Sequence, residues 1–275
     1  MIRALALIAL LAPAARADDA PRLACASARD PGLAEGPIAI GLYDADLGTG
    51  RDACPRNELH LAERLGATVD TKDLYGGVRA DTLLSGGYRL RRRLQIFGAL
   101  EMVHWELVQD ATIKGRAIGL GQLTIGLQGL AFESGRLAVS VLGRVLVPTA
   151  SWTPSVQTTG AELAVAALYR PHRLVELHGQ LAGDFTAGIS GGPPAVRGGT
   201  TLGVGVQYAP ARWFGVAVDL AVVLGHRAAL DAFLPALALR FRAWRGLGLE
   251  LDVTAPLAGA DRRLALAALR VGYRF

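Results

Sequence analysis

From about residue 58 to the end, the chain repeats one pattern: segments of roughly ten residues in which apolar side chains alternate with small or polar ones, each closed by a turn signal. Leu174 to Phe185 shows it most clearly. Val175, Leu177, Leu181 and Phe185 fall on one face; Glu176, His178, Gln180 and Asp184 fall on the other. A helical period would mix the two sets. The same split sets Val204, Val206 and Tyr208 against Gly203, Gly205 and Gln207, and Phe214, Val216, Val218, Leu220 and Val222 against Ala217, Asp219 and Ala221. It also sets Leu247, Leu249, Leu251 and Val253 against Gly248, Glu250, Asp252 and Thr254. Counted along the chain, these segments predict an all-β fold of about 12 strands.

The connections sort into two kinds. Short ones fall near Arg91 to Arg93, Phe132 to Gly135, Arg170 to Arg173, Ala209 to Arg212 and Arg245 to Gly246. Longer ones fall near Gln109 to Gly115, Pro148 to Gly160, Thr186 to Gly199, Gly225 to Asp231 and Pro256 to Arg262. Strict alternation of short and long is the order expected of an antiparallel up-and-down barrel with both chain ends on the short-turn side. Thr71 to Gly76 alone is short for its class.

Composition decides where such a barrel would sit. The 275 residues are 51% hydrophobic and only 19% charged, with mean hydropathy +0.31, which excludes a disordered chain. Past residue 17, however, no stretch approaches the roughly 20 apolar residues of a helical span. Apolar content spread in alternation predicts a transmembrane β-barrel, the other structure that satisfies its backbone within lipid. Tyr169, Tyr208, Trp213, Phe214 and Trp244 flank the short turns, where an interfacial girdle would lie; the core of a soluble barrel would use them as well.

Residues 1–17 read as a signal peptide: Arg3 in a short basic start, an apolar stretch from Ala4 to Ala12, and the small-x-small pattern Ala15-Arg16-Ala17. Cleavage before Asp18 removes two arginines and lowers the formal charge from +5 to +3. With so slight a balance, and with the basic run Arg91 to Arg93 placed at a turn, no nucleic-acid partner is expected. Residues 18–57 form an N-terminal extension ahead of the barrel at 58–275. Its cysteines, Cys25 and Cys54, are expected to form a disulfide in an oxidising compartment. Lipidation of Cys25 is disfavoured by Arg22 and by the distance from the apolar core, and zinc by the lack of a nearby histidine pair. The extension, which includes the apolar run Pro37 to Tyr43, either lies loose in the periplasm, the preferred reading, or folds inward as a plug.

The last predicted strand places Leu269, Val271, Tyr273 and Phe275 on one face and finishes on an aromatic residue. This resembles the C-terminal pattern of bacterial outer-membrane β-barrels, in which a terminal aromatic is recognised by the barrel-assembly machinery. The resemblance implies insertion into the outer membrane of a Gram-negative bacterium, with outer-membrane lipid and that machinery as partners. It implies no activity, because this kind of fold hosts pores, transporters, enzymes and adhesins.

If Phe275 faces lipid, the same alternation turns Arg79, Asp81, Arg89, Arg144, Glu162, Glu176, His178, Asp184, Asp219, Arg240, Arg242, Glu250, Asp252, Arg270 and Arg274 toward the lumen. Either these groups pair and hold the barrel shut, or they line a hydrated pore whose arginines attract anions. The function expected first is a passive channel or transport component for small polar solutes, anions among them. The alternative is a closed structural or surface-interaction barrel whose loops, such as 148–160 with Trp152, Thr153 and Thr158, make the contacts. An outer-membrane hydrolase comes third. Asn57 is the single asparagine, no histidine has a serine two positions away, and Asp-x-His does not occur. No catalytic residue, cofactor or metal is therefore assigned. Two places resist the pattern. Glu63 falls on an apolar face, which suggests a later strand start or a place at the periplasmic interface. Phe97, Val103 and Trp105 fall on the nominal inner face, which suggests a bulge or contact with a plug.

Overall fold

The alternation becomes long antiparallel strands. The computed structural model describes residues 23–25, 53–70, 75–109, 114–149, 158–188, 196–211, 213–225, 229–244, 246–259 and 263–275. The signal-peptide reading of 1–17, the run Pro37 to Tyr43 and the outward loop tips, Trp152 and Thr153 included, lie outside these residues. In chain order the strands are β1 (Glu58–Asp70), β2 (Tyr75–Arg91), β3 (Leu94–Gln109), β4 (Lys114–Gly119), β5 (Leu123–Glu133), β6 (Leu137–Val147) and β7 (Thr158–His172). They continue as β8 (Val175–Gly188), β9 (Val196–Ala211), β10 (Phe214–Leu224), β11 (Leu230–Trp244), β12 (Leu247–Thr254) and β13 (Arg263–Arg274).

Each strand pairs with the next, except that β5 pairs with β3 and not with β4, and β13 pairs with β1 from Glu58 opposite Arg274 to Thr68 opposite Arg263, so the sheet closes on itself. Closure removes the free edges, as a hydrocarbon environment demands. β4 and β5 both pair with β3 and share one place in the wall, so the segments make a closed 12-strand barrel. The short connections hold their turns with few residues: Gly246, at φ 91°, takes the left-handed conformation that joins β11 to β12.

The pleat sorts the side chains. On β12, Leu247, Leu249, Leu251 and Val253 are exposed while Gly248, Glu250, Asp252 and Thr254 are buried. On β13, Leu269, Val271 and Tyr273, followed by Phe275 just past the strand, form part of the apolar outer face. The outside is thus the greasy surface and the inside the polar one, the reverse of a water-soluble barrel.

Both irregular places have structural causes. A bulge at Met102 breaks the β2–β3 register between Thr82 opposite Val103 and Leu83 opposite Glu101. Beyond it the facing inverts, so Val103 is exposed and Trp105 shares its face. Phe97, before the bulge, is buried and packs inside with the cysteine segment, so one irregularity had two sources. β1 starts at Glu58 rather than later, and Glu63 stands exposed in mid-strand, opposite Leu269 and Thr82. It therefore sits neither before the strand nor at its periplasmic end.

Candidate functional site: the barrel interior and its short-turn mouth

Cross-strand register makes an ion-pair ladder on one wall. Arg240 of β11 lies opposite Glu250 of β12, which lies opposite Arg270 of β13. Arg240 Nε donates to Glu250 Oε2 at 2.7 Å, and Arg270 Nη1 donates to Glu250 Oε1 at 3.0 Å. Arg270 Nη2 also stands 3.5 Å from Asp252 Oδ2, and Arg240 reaches Gln207 of β9. Glu250 is wholly buried, at 0% exposure, so one carboxylate serves two guanidiniums out of contact with water.

Further around, Arg144 Nη2 donates to Glu162 Oε2 at 2.6 Å, and Arg170 Nη2 lies 2.9 Å from Glu176 Oε2. Asp184 lies opposite Glu162 in the β7–β8 pairing. His178 of β8 and Asp219 of β10 pair across the intervening strand, over Gly205 of β9. A Cβ on Gly205 would run into Asp219 Oδ1 and His178 Nε2. The missing side chain is what lets the two meet. Gly205→Ala is expected to push the pair apart and lower stability by roughly 1–3 kcal/mol, read as a lower urea midpoint of the heat-modifiable band in detergent.

The bulge at Met102 assembles a cluster that regular alternation forbids. Glu101 and His104 are three apart, yet His104 Nδ1 lies 3.1 Å from Glu101 Oε1 and 2.8 Å from Asp81 Oδ1. The possible ligand atoms of these three groups lie within 4.8 Å of one another. Arg64 Nη2 is 3.2 Å from Asp81 Oδ2 and 3.5 Å from Glu101 Oε1, and Arg79 also pairs with Asp81. Two guanidiniums already balance the two carboxylates, so a divalent cation would have to displace an arginine. The set reads as an ion network.

Of the residues expected in the lumen, Arg79, Arg89, Arg144, Asp184 and Arg242 are half-buried and the others are buried. Arg64, Glu101, His104 and Gln207 join the network without having been foreseen. Arg64 went unseen beside the misfit Glu63, and Glu101 with His104 because only a bulge puts residues three apart on one face. The apolar doublet Met102-Val103 was the one signal available.

The second feature is the mouth on the short-turn side. Cys25 and Cys54 form a disulfide with Cα atoms 5.4 Å apart. Ala24, Cys25, Ala53 and Cys54 are buried against Phe97 of β3, Leu130 of β5, Ala138 and Leu142 of β6, Ala164, Ala166 and Leu168 of β7, and Ala182 of β8. Hydrogen bonds fix this knot: Ala24 N to Ser134 O at 3.1 Å, Cys25 N to Glu133 Oε1 at 3.1 Å, and Arg56 N to Gln95 Oε1 at 3.2 Å. Arg170 Nη1 donates to Ala24 O at 2.8 Å. The described ends of the extension are therefore seated inside the barrel and not loose beside it. The inner wall of β5–β8 against the knot is apolar, a departure from the polar rule of the rest of the interior.

Geometry of this kind defines a bacterial outer-membrane β-barrel fold. An outer membrane channel from Pseudomonas putida F1 is similar in structure, with TM-score 0.59 and 12% identity over 86% of this chain and 100% of that one. A KdgM porin in complex with disordered oligogalacturonate matches with TM-score 0.53 and 9% identity over 79% of this chain and 99% of that one. The translocator domain of the autotransporter NalP from Neisseria meningitidis matches with TM-score 0.54 and 9% identity over 84% of this chain and 91% of that one. No protein-family model matches the sequence, and no curated protein matches it. These neighbours are a channel, a porin and a translocator domain.

Proposed function

We propose that the chain is an outer-membrane channel for small polar solutes whose periplasmic mouth is narrowed by the Cys25–Cys54 knot. One observation carries this reading: many of the barrel's inward side chains are small, and a separate piece of chain, the cysteine knot, packs among those of β6–β8. Inward positions of β6–β11 include Ala138, Ser140, Ala164, Ala166, Ala182, Gly203, Gly205, Ala217, Ala221, Ala236 and Ala238. Eight strands suffice for side chains to close a barrel; a circumference of twelve encloses a wider cross-section, which these small side chains fill less completely. A covering segment that is not part of the wall is one that can be displaced. The likeness to the outer membrane channel of Pseudomonas putida F1, at TM-score 0.59, supports the same reading. Insertion beside outer-membrane lipid through the barrel-assembly machinery fits the outward row ending at Phe275.

An anion preference is expected to come from the half-buried Arg89 and Arg242 near the short-turn opening more than from Arg240, which is buried and paired with Glu250. The closed-scaffold alternative draws on the buried ladder Arg240–Glu250–Arg270. Planar-bilayer recordings separate the two. Discrete conductance steps from the purified full chain, or from a variant lacking residues 18–56, are the expected result. Silence from both leaves the closed barrel standing and removes the channel.

A further inference from the structure

Glu63 is the one side chain the barrel places against its own physics. Leu61 and Leu65 on either side of it are 45% and 60% exposed and apolar, and its partners across the two neighbouring strands are Leu269 and Thr82. Among the side chains described, no other Asp, Glu, Lys or Arg stands on the outer face away from the strand ends. The depth follows from register. Leu59 pairs with Tyr273 in the periplasmic girdle, and Glu63 lies four positions further along the same strand. At about 3.3 Å per residue and a tilt near 40°, that is roughly 10 Å above the girdle, close to the middle of an apolar band about 25 Å tall. The carboxyl group is also held: Thr82 Oγ1 donates to it, 2.9 Å from Oε1 and 3.1 Å from Oε2.

We propose that the β1–β2 face around Glu63 and Thr82 is a contact surface for a second copy of this chain within the membrane. Acyl chains offer no hydrogen-bond donor at this depth, so lipid leaves the group with the single Thr82 hydroxyl. A polar group in hydrocarbon is satisfied by another protein surface carrying a partner at the same level. A second copy presents one there of necessity. A two-fold contact sets Glu63 and Thr82 against Glu63 and Thr82, where two facing carboxyls share a proton and act as donor and acceptor together. The neighbouring outward positions, Ala67, Ala80, Gly86 and Ala267, are small and let the two walls approach closely.

The test uses the full chain reconstituted in phospholipid vesicles, with a photoreactive benzoylphenylalanine in place of Leu65, and native mass spectrometry of the unlabelled protein from mild detergent. Dimers are expected for the wild type. Glu63→Leu, which suits the apolar face and should fold, is expected to lower the dimer fraction roughly tenfold, whereas Glu63→Gln keeps most of it. Heat-modifiable migration confirms that each variant is a barrel. A wild type that stays monomeric in vesicles overturns the proposal, as does a dimer indifferent to Glu63→Leu, or a cross-link formed only to a different protein when native membranes are irradiated.

Discussion

Glu250→Leu is expected to destabilise the folded barrel by about 3–5 kcal/mol, the usual cost of breaking a buried ion pair from one side. The carboxylate is shared, so its loss affects two strands at once. Arg270 keeps Asp252 at 3.5 Å, but Arg240 keeps the neutral Gln207 oxygen as its close partner, with the Asp219 and Glu176 carboxylates acting only from farther off. Desolvation of a guanidinium stripped of its nearest counter-ion is the main penalty. Replacing Arg240 by methionine in the same chain should therefore recover most of the loss, because an apolar pair of similar volume is often as good as the ion pair it replaces. Urea titration in detergent, followed by the heat-modifiable gel shift, gives both numbers. A loss below about 1 kcal/mol would show that water reaches this wall and screens the charge. That outcome would argue for a wider and wetter lumen than the burial of Glu250 indicates.

How far the sequence reaches depends on which interactions are local. Strand positions and facing were legible because a membrane barrel needs one apolar residue at every second position, and Leu247 to Thr254 meets that rule without exception. Turn lengths gave the up-and-down order for a similar reason, since hairpins join strands already adjacent in the chain. The polar ladder was readable as a set of neighbours once Arg240, Arg242, Glu250 and Asp252 fell on consecutive strands. Its choice of partners was not, because Arg270 and Gln207 are brought in by register and by reach across a strand. Two features defeated the period. A single extra residue at Met102 inverts the facing of Val103 and Trp105 and builds the Asp81–Glu101–His104 cluster, and nothing in a two-residue alternation announces where it will slip. The seat of the cysteine segment was hidden for a different reason: its contacts with Leu130, Leu142 and Leu168 span large separations in the chain. Small and apolar residues at inward positions of β6 and β7 were the available trace, and they are ambiguous between a plug and a filled core.

The replacement of both Cys25 and Cys54 by serine is expected to open the periplasmic mouth. The two halves of the knot are held very differently. Cys54 is four residues from the first residue of β1 and stays near the mouth whatever else happens. Cys25 has no such tether; its place depends on the disulfide together with the bonds to Glu133, Ser134 and Arg170. Closing a loop across a sequence separation of 29 is worth about 3–4 kcal/mol on chain-entropy grounds, because it makes the docking of Cys25 an event at high effective concentration. Losing that advantage raises the undocked population by roughly 100- to 700-fold, since each 1.4 kcal/mol is a factor of ten. Once Ala24 and Cys25 leave, Ala166, Leu168 and Phe97 face the mouth uncovered. Single-channel recordings of the oxidised wild type and of the double serine variant should then differ in open probability or step size, with the variant larger. Serine substitution is a cleaner probe than added reductant, because both cysteines are 1–2% exposed and a thiol reagent reaches them poorly. If the two proteins conduct alike, the knot does not narrow the path, and the constriction must lie higher in the lumen, at the level of the Arg144–Glu162 pair. Glu162→Gln, tested for a change in ion selectivity, would then be the next variant to record.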